Sequence, residues 1–246
     1  AAVLPPVKFI EEFQREIEVL TVLKHENVIN FMGVLLPPTI PFGIVCEYMN
    51  GGSLGQAMQS ETQWNMSIVS EAQRLNIVKD VLRGLAFMHK NGFVHRDIKP
   101  FNILLCSEDT YLQANDAPDG DEQLPINWVR AKIADFGTSV KLEPGKTLSE
   151  EVGTTGYTAP EIFKGQYSNN VDIFSFAVVM WELFSADRKN PRTGKTEDKI
   201  LEEHIRPPLG KEHPSVVTVL AKKGWHAEPT KRPTCQAMAG LLQVQL

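Results

Sequence analysis

Cysteine is scarce in this chain. Cys46, Cys106 and Cys235 are its three thiols, far apart and without the spacing of metal ligands. That excludes a disulfide framework and a thiolate zinc site, and an odd, unclustered set predicts buried free thiols in a reducing compartment. Long apolar runs are missing too. The most hydrophobic stretch, VDIFSFAVVMWELF from Val171 to Phe184, is too short for a bilayer and carries Asp172 and Glu182, so it predicts a buried helix rather than membrane insertion. Positive charge is not in excess. A net charge of −5 and a pI near 5.7 argue against nucleic acid or an anionic membrane as the main partner, while leaving room for a local basic cleft. The opening residues, AAVLPPVKFIEEF, place a proline pair and acids where a secretory leader needs an apolar core. Asn65, in Asn-Met-Ser, matches a glycosylation acceptor, but no other feature points to secretion, and a cytoplasmic location is expected. No internal repeat is found.

What is present reads as a mixed chain of 246 residues, long enough for two lobes around a shared core. Phe9, Phe13, Ile17, Leu20 and Leu23 fall on one helical stripe, with Glu11, Glu12, Arg15 and Glu18 elsewhere, which predicts an amphipathic helix. VINFMGVLL (28–36) and FGIVCEYM (42–49) read as a strand pair joined by the proline-rich PPTIP. NGGSL, from Asn50, fits a connector between a small first lobe and a larger second one. Leu75, Val78, Val81, Leu82 and Leu85 predict a helix over 70–90, ended by Asn91-Gly92. Residues 107–127 hold Glu108, Asp109, Asp116, Asp119, Asp121 and Glu122 without a basic residue, and read as a solvated acidic loop. WVRAKIADFG then predicts a strand entering a turn, and the remainder is mainly helical.

FVHRDIKPFNILL (93–105) sets Asp97, Lys99 and Asn102 inside a run that otherwise reads as buried strand. Taken singly, such a triplet fits a solvated turn. Four signals in fixed order decide otherwise: HRDIKPFN (95–102), DFG (135–137), GTTGYTAPE (153–161) and DIFSFAVVMWEL (172–183). From about Phe9 onward the chain resembles the eukaryotic protein kinases, and HENVINFMG and EYMNGGSL bring it nearest to the tyrosine-kinase-like group. The resemblance implies an α+β bilobal fold, with residues 1–49 a partial small lobe carrying a helix and the hinge, and 50–246 the mainly helical large lobe. It also implies phosphoryl transfer from ATP to a protein hydroxyl with Mg²⁺, where positioning and charge neutralisation do most of the work.

Residue by residue, the resemblance makes Asp97 the group that orients the acceptor hydroxyl and takes its proton. Lys99 would stabilise the transferred phosphoryl group, and Asn102 and Asp135 would hold Mg²⁺. Lys99-Pro100 and GTTGYTAPE imply serine/threonine rather than tyrosine acceptors, with Thr154 bonded to Asp97 and Lys99. Arg96 would meet a phosphate on the following segment, whose candidate acceptors are Thr147, Ser149, Thr154 and Thr155. Glu161 would pair with Arg232, and Asp172 would anchor the catalytic loop. Glu47 and Met49 would offer backbone groups to adenine, Cys46 would control access behind it (plain strand packing explains this thiol equally well), and Leu104 joins the nucleotide contacts.

The resemblance has gaps. Neither a glycine-rich loop nor a V-A-x-K lysine precedes the first helix, although Glu16 matches the glutamate that should pair with that lysine. Lys8 is a poor substitute, because eight residues of helix set it roughly 12 Å from Glu16 along the axis. The expectation is that such a segment lies upstream in the molecule. The rival is a pseudokinase, the same fold acting as a binding or allosteric module without phosphotransfer. Ala177 stands where a glycine is usual, and the acidic loop lengthens the link from Asn102 to Asp135; its role is either a partner surface or simply solvated sequence, the latter preferred.

Overall fold

The stripe that begins at Phe9 forms the first helix, α1 (Val7–Val22), but only its C-terminal end is well covered. Val19, Leu20 and Leu23 are buried, whereas Phe9, expected on the inner face, is 44% exposed and stacks on Phe13. The computed structural model describes residues 7–35, 43–59, 69–107, 129–185, 190–196, 198–199 and 205–243. The proline-rich turn, Asn65 and almost all of the acidic segment lie outside the described residues.

Two antiparallel strands, β1 (Phe31–Leu35) and β2 (Gly43–Cys46), follow in the small lobe, with Phe31 opposite Cys46. The chain then crosses to the larger, helical lobe, so the architecture is the α+β bilobal one expected. A short helix α2 (Leu54–Met58) starts on a capping box between Ser53 and Gln56. The long helix α3 (Glu71–Lys90) starts on another, between Ser70 and Gln73, an arrangement typically worth ~1 kcal/mol. Asn91 caps the far end of α3, and Gly92 takes the left-handed φ of +77° that turns the chain into β3 (Phe93–Val94).

The stretch that reads as one buried strand is therefore interrupted. β3 pairs with β6 (Val140–Lys141), and β4 (Ile103–Ser107) pairs with β5 (Val129–Ile133). Between β3 and β4 the backbone makes a loop and a 3₁₀ turn, Pro100–Asn102, and the polar residues sit there. The two lobes are stitched at one seam, where the Ile133 N–H donates to Asn27 O (3.0 Å) and the Ile29 N–H donates to Ile133 O (2.9 Å).

The helix predicted from VDIFSFAVVMWELF is α4 (Asn170–Phe184), and from Val171 to Phe184 every residue is buried. Among the described residues no helix is long and apolar enough to cross a membrane. Ala177 is fully buried against α5 (Ser215–Gly224), and a Cβ on Gly224 would lie 2.7 Å from the Ala177 methyl. The methyl at 177 thus occupies space that glycine at 224 leaves open. The last helix, α6 (Cys235–Gln243), buries Cys235, while Cys46 and Cys106 are only half-buried; none of the three is in a disulfide.

Candidate active site

The loop between β3 and β4 is fixed from beneath by α4. Asp172, fully buried, accepts the backbone N–H of His95 on Oδ2 (2.9 Å) and that of Arg96 on Oδ1 (2.8 Å). Its Oδ2 also bonds His89 Nε2 (2.8 Å) at the end of α3. Burial works against charge on His89, but the Cys235 sulfur and the bonded Asp172 carboxylate outweigh it and lift the imidazole to about 10. Conversely, burial would raise the Asp172 carboxyl, yet its bond to His89 and the His95 N–H hold it below the usual carboxylate range. Arg96 sits at φ +70°, a left-handed conformation that costs a non-glycine residue of order 1–3 kcal/mol, and these anchors hold it there.

On this base four predicted residues converge. Lys99 Nζ donates to Asp97 Oδ2 (2.7 Å) and to Thr154 Oγ1 (3.0 Å), while Thr154 Oγ1 donates to Asp97 Oδ1 (2.7 Å). Asn102 Nδ2 donates to the Asp97 carbonyl (2.8 Å) and to Asp97 Oδ2 (3.2 Å). Asp97 remains 11% exposed, so the cluster opens to solvent on one side. The orientation of the Asn102 amide matters chemically: its nitrogen is spent on Asp97, leaving the carbonyl oxygen for a hard cation. Asp135, the second oxygen donor, lies just past β5 at φ +65°. One carboxylate and one amide oxygen, with phosphates to complete the shell, would fit Mg²⁺ better than a soft metal.

Helix α1 rests on the Asp-Phe-Gly turn. Arg15 Nη1 donates to Gly137 O (3.3 Å), and Glu16 accepts the Phe136 N–H. Burial, then the nearby Asp135 carboxylate, push the Glu16 carboxyl up. Glu16 thus faces the turn that carries Asp135, one side of its expected role. Farther along the cleft, Cys46 ends β2, and burial raises its thiol. The Glu47 N–H donates to Asn30 O (3.0 Å), its carboxylate takes the Asn30 N–H (2.7 Å) and Lys132 Nζ (2.5 Å), and Met49 O accepts from Gly52 (3.1 Å). Leu104 on β4 is half-buried and bridges to Ser53 in the backbone.

Three features went unmarked by any motif. Arg96 meets a carboxylate, with Nη1 2.8 Å from Glu150 Oε2. Glu161 does pair with Arg232, but Arg192 and Arg206 share the same Phe174 ring with it. Tyr157 donates to Glu182 Oε2 (2.7 Å) inside α4. Burial lifts the Glu182 carboxyl from 4.5 to about 7, against the bond from Tyr157. The sign follows directly: the fold favours the protonated form, so the contribution is fully present below about pH 4.5 and is lost as pH rises through about 7. The span is worth roughly 3 kcal/mol. Glu182→Gln, neutral and still an acceptor for Tyr157, is expected to flatten that loss. Urea denaturation at pH 5 and pH 8 checks it: the variant should gain on the parent only at the higher pH, and equal gains at both would refute the assignment.

Comparison with known proteins places these features in a family context. The profile described as "Protein kinase domain" matches residues 6–241. The chain is 30% identical over 241 residues to "Serine/threonine/tyrosine-protein kinase HT1" of Arabidopsis thaliana, covering 96% of this chain and 55% of that protein. It is 31% identical over 237 residues to "Probable serine/threonine-protein kinase gdt4" of Dictyostelium discoideum, covering 95% of this chain and 13% of that protein. The chain therefore spans little more than half the length of the first relative and a small part of the second.

Proposed function

The chain belongs to the protein kinase domain family, and from that premise we propose that it is a serine/threonine protein kinase whose phosphoryl-transfer centre is formed by Asp97, Lys99, Asn102 and Thr154. The observation that carries the assignment is the closed hydrogen-bond set on the Asp97 carboxylate, with Thr154 on one oxygen and Lys99 and Asn102 on the other. ATP would supply the phosphoryl group, and Asn102 and Asp135 would hold Mg²⁺, which would offset its charge. The chain's own side chains do the rest. Asp97 orients a serine or threonine hydroxyl and takes its proton as the new O–P bond forms. Lys99, held between Asp97 and Thr154, places one positive charge where negative charge is transferred. Thr154 fixes the carboxylate rotamer and ties the loop to the segment on which a peptide would lie.

Adenine contact through Glu47 and Met49, with Cys46 behind and Leu104 beneath, is part of the same reading, as are Glu16 beside the phosphates and a cytoplasmic setting. The substrates and partners of the whole protein belong to the same proposal, since the relatives are longer. Acceptor class has its own test. Lys99 and Thr154 together favour a small aliphatic hydroxyl, so a mixed peptide library incubated with the intact protein and Mg-ATP should carry phosphate on serine or threonine. Phosphotyrosine as the main product would overturn the reading of the loop.

A further inference from the structure

The segment that delivers Thr154 to Asp97 also carries Glu150, and Glu150 reaches the residue next to Asp97. Arg96 Nη1 lies 2.8 Å from Glu150 Oε2 and 3.3 Å from the Tyr167 hydroxyl, while Arg96 Nε donates to Thr138 O (2.6 Å). The Arg96 side chain is 2% exposed, and its Nη2 is buried with no partner among the described residues. A guanidinium in that position requires an anion, because an unpaired buried charge is costly. Among the described residues Glu150 is the one carboxylate in ion-pair range. Asp172 is spent on backbone N–H groups and His89.

The backbone around Glu150 is pinned as well. Tyr167 OH donates to Glu150 O (2.5 Å), and Leu148 exchanges both hydrogen bonds with Tyr167 (2.9 and 3.1 Å). Three residues after Glu150, Gly153 has φ +107°, and a Cβ there would lie 2.7 Å from Arg96 O. The segment is thus drawn hard against the loop at two points, one ionic and one steric, immediately before Thr154. By contrast, Thr147 and Ser149 are exposed, and the Thr154 hydroxyl is occupied by Asp97 and Lys99.

We infer that Glu150 is a positioning residue for the transfer reaction: its carboxylate supplies, from the sequence itself, the negative charge that holds the segment on Arg96, so activity needs no phosphate on Thr147 or Ser149. This rests on the kinase reading above. Removing the charge frees the segment, and Thr154 no longer locks Asp97 and Lys99 for a peptide acceptor. The nucleotide side of the cleft does not depend on that contact. Glu150 is 57% exposed on its side chain, so its replacement leaves no cavity and costs stability only through the counter-charge that Arg96 loses.

The test uses the intact protein, with Glu150→Gln and Glu150→Ala beside the parent. Both variants are expected to lose at least about tenfold in kcat/KM for a peptide, with KM for ATP within about twofold, and to melt at a lower temperature while still unfolding cooperatively, since Arg96 loses its counter-charge. Glutamine keeps the size and removes the charge, so a fully active Glu150→Gln overturns the proposal. Phosphatase treatment of the parent should leave at least about half of its kcat/KM, and a tenfold fall on dephosphorylation overturns it too. The clamp is also read without turnover. Amide exchange in the peptide 147–158 should quicken by about tenfold in Glu150→Gln. Unchanged exchange defeats the clamp even in a protein that transfers nothing, whereas faster exchange without transfer defeats only the kinase reading.

Discussion

Asp97→Asn should fold, bind nucleotide and transfer phosphate at least about a hundredfold more slowly than the parent. The carboxylate receives Thr154 Oγ1 on one oxygen and Lys99 Nζ and Asn102 Nδ2 on the other. Asparagine matches its shape and can still accept from Thr154. On the other side, however, its NH₂ would face two further donors, so Lys99 relaxes away. More important, the amide cannot take the acceptor's proton. Because the loop backbone is fixed from beneath by Asp172 rather than by Asp97, Tm should hardly move. KM for ATP should also change little. Steady-state kinetics with saturating peptide measure the effect, and unaltered turnover would remove Asp97 from its role.

The largest loss of stability is expected at Glu161→Ala. Arg232 meets Glu161 through both terminal nitrogens, one at 2.9 Å, and adds bonds to Asn170 O and His226 O. Around the same Phe174 ring stand three guanidinium carbons, Arg192 at 4.8 Å and Arg206 and Arg232 at 4.9 Å. Burial, then Arg206, push Arg192 down to about 10, with Glu161 opposing. Arg192 donates to Thr158 O (2.7 Å), but its Nε and Nη1 have no partner among the described residues. Among the described residues Glu161 is thus the carboxylate paired into this cluster of cations, through Arg232. Removing it should cost about 3–5 kcal/mol, the usual result of stranding a buried charge. In a domain of this size that lowers Tm by roughly 10 °C. Adding Arg232→Met should restore part of the loss, since the unpaired cation goes with its partner. A single-variant cost below about 1 kcal/mol would mean the arginines are neutralised by other means.

Legibility followed the range of the contacts. The resemblance to protein kinases singled out Asp97, Lys99 and Asn102 in one short loop and Thr154 in its own motif, and the fold brings these four side chains together. The helices were equally visible, because α3 and α4 carry their burial in periodicity or in an unbroken apolar run. The two strand breaks around Asp97 were less so, since Ile98 and Ile103 are buried like strand residues while the chain between them turns. Phe9 misled, for a helical stripe tells which side is apolar and not how far along the helix something covers it. Glu150, Arg192 and Arg206 were invisible, unlike the Glu161–Arg232 pair. Glu150 meets Arg96 54 residues away and Arg192 meets Thr158 34 residues away, and an acid in Ser-Glu-Glu or an arginine in Asn-Pro-Arg looks like any surface charge. The arrest of Ala177 against Gly224 belongs to the same class: two small residues acquire meaning only when packed together.

Asp172 carries a consequence beyond the loop it holds. Its Oδ2 reaches His89, and His89 Nδ1 lies 3.8 Å from the sulfur of Cys235 at the start of α6. A protonated imidazole thus links the buried acid of the central helix to the final helix of the chain. A change at 89, 172 or 235 therefore acts on the other two through these contacts. A neutral side chain at 89 would strand the acid, and a bulky one at 235 would push the imidazole off it. Homologues should therefore exchange these three residues as a set, so that a correlated change at the far end of the chain would report on the rigidity of the reacting loop.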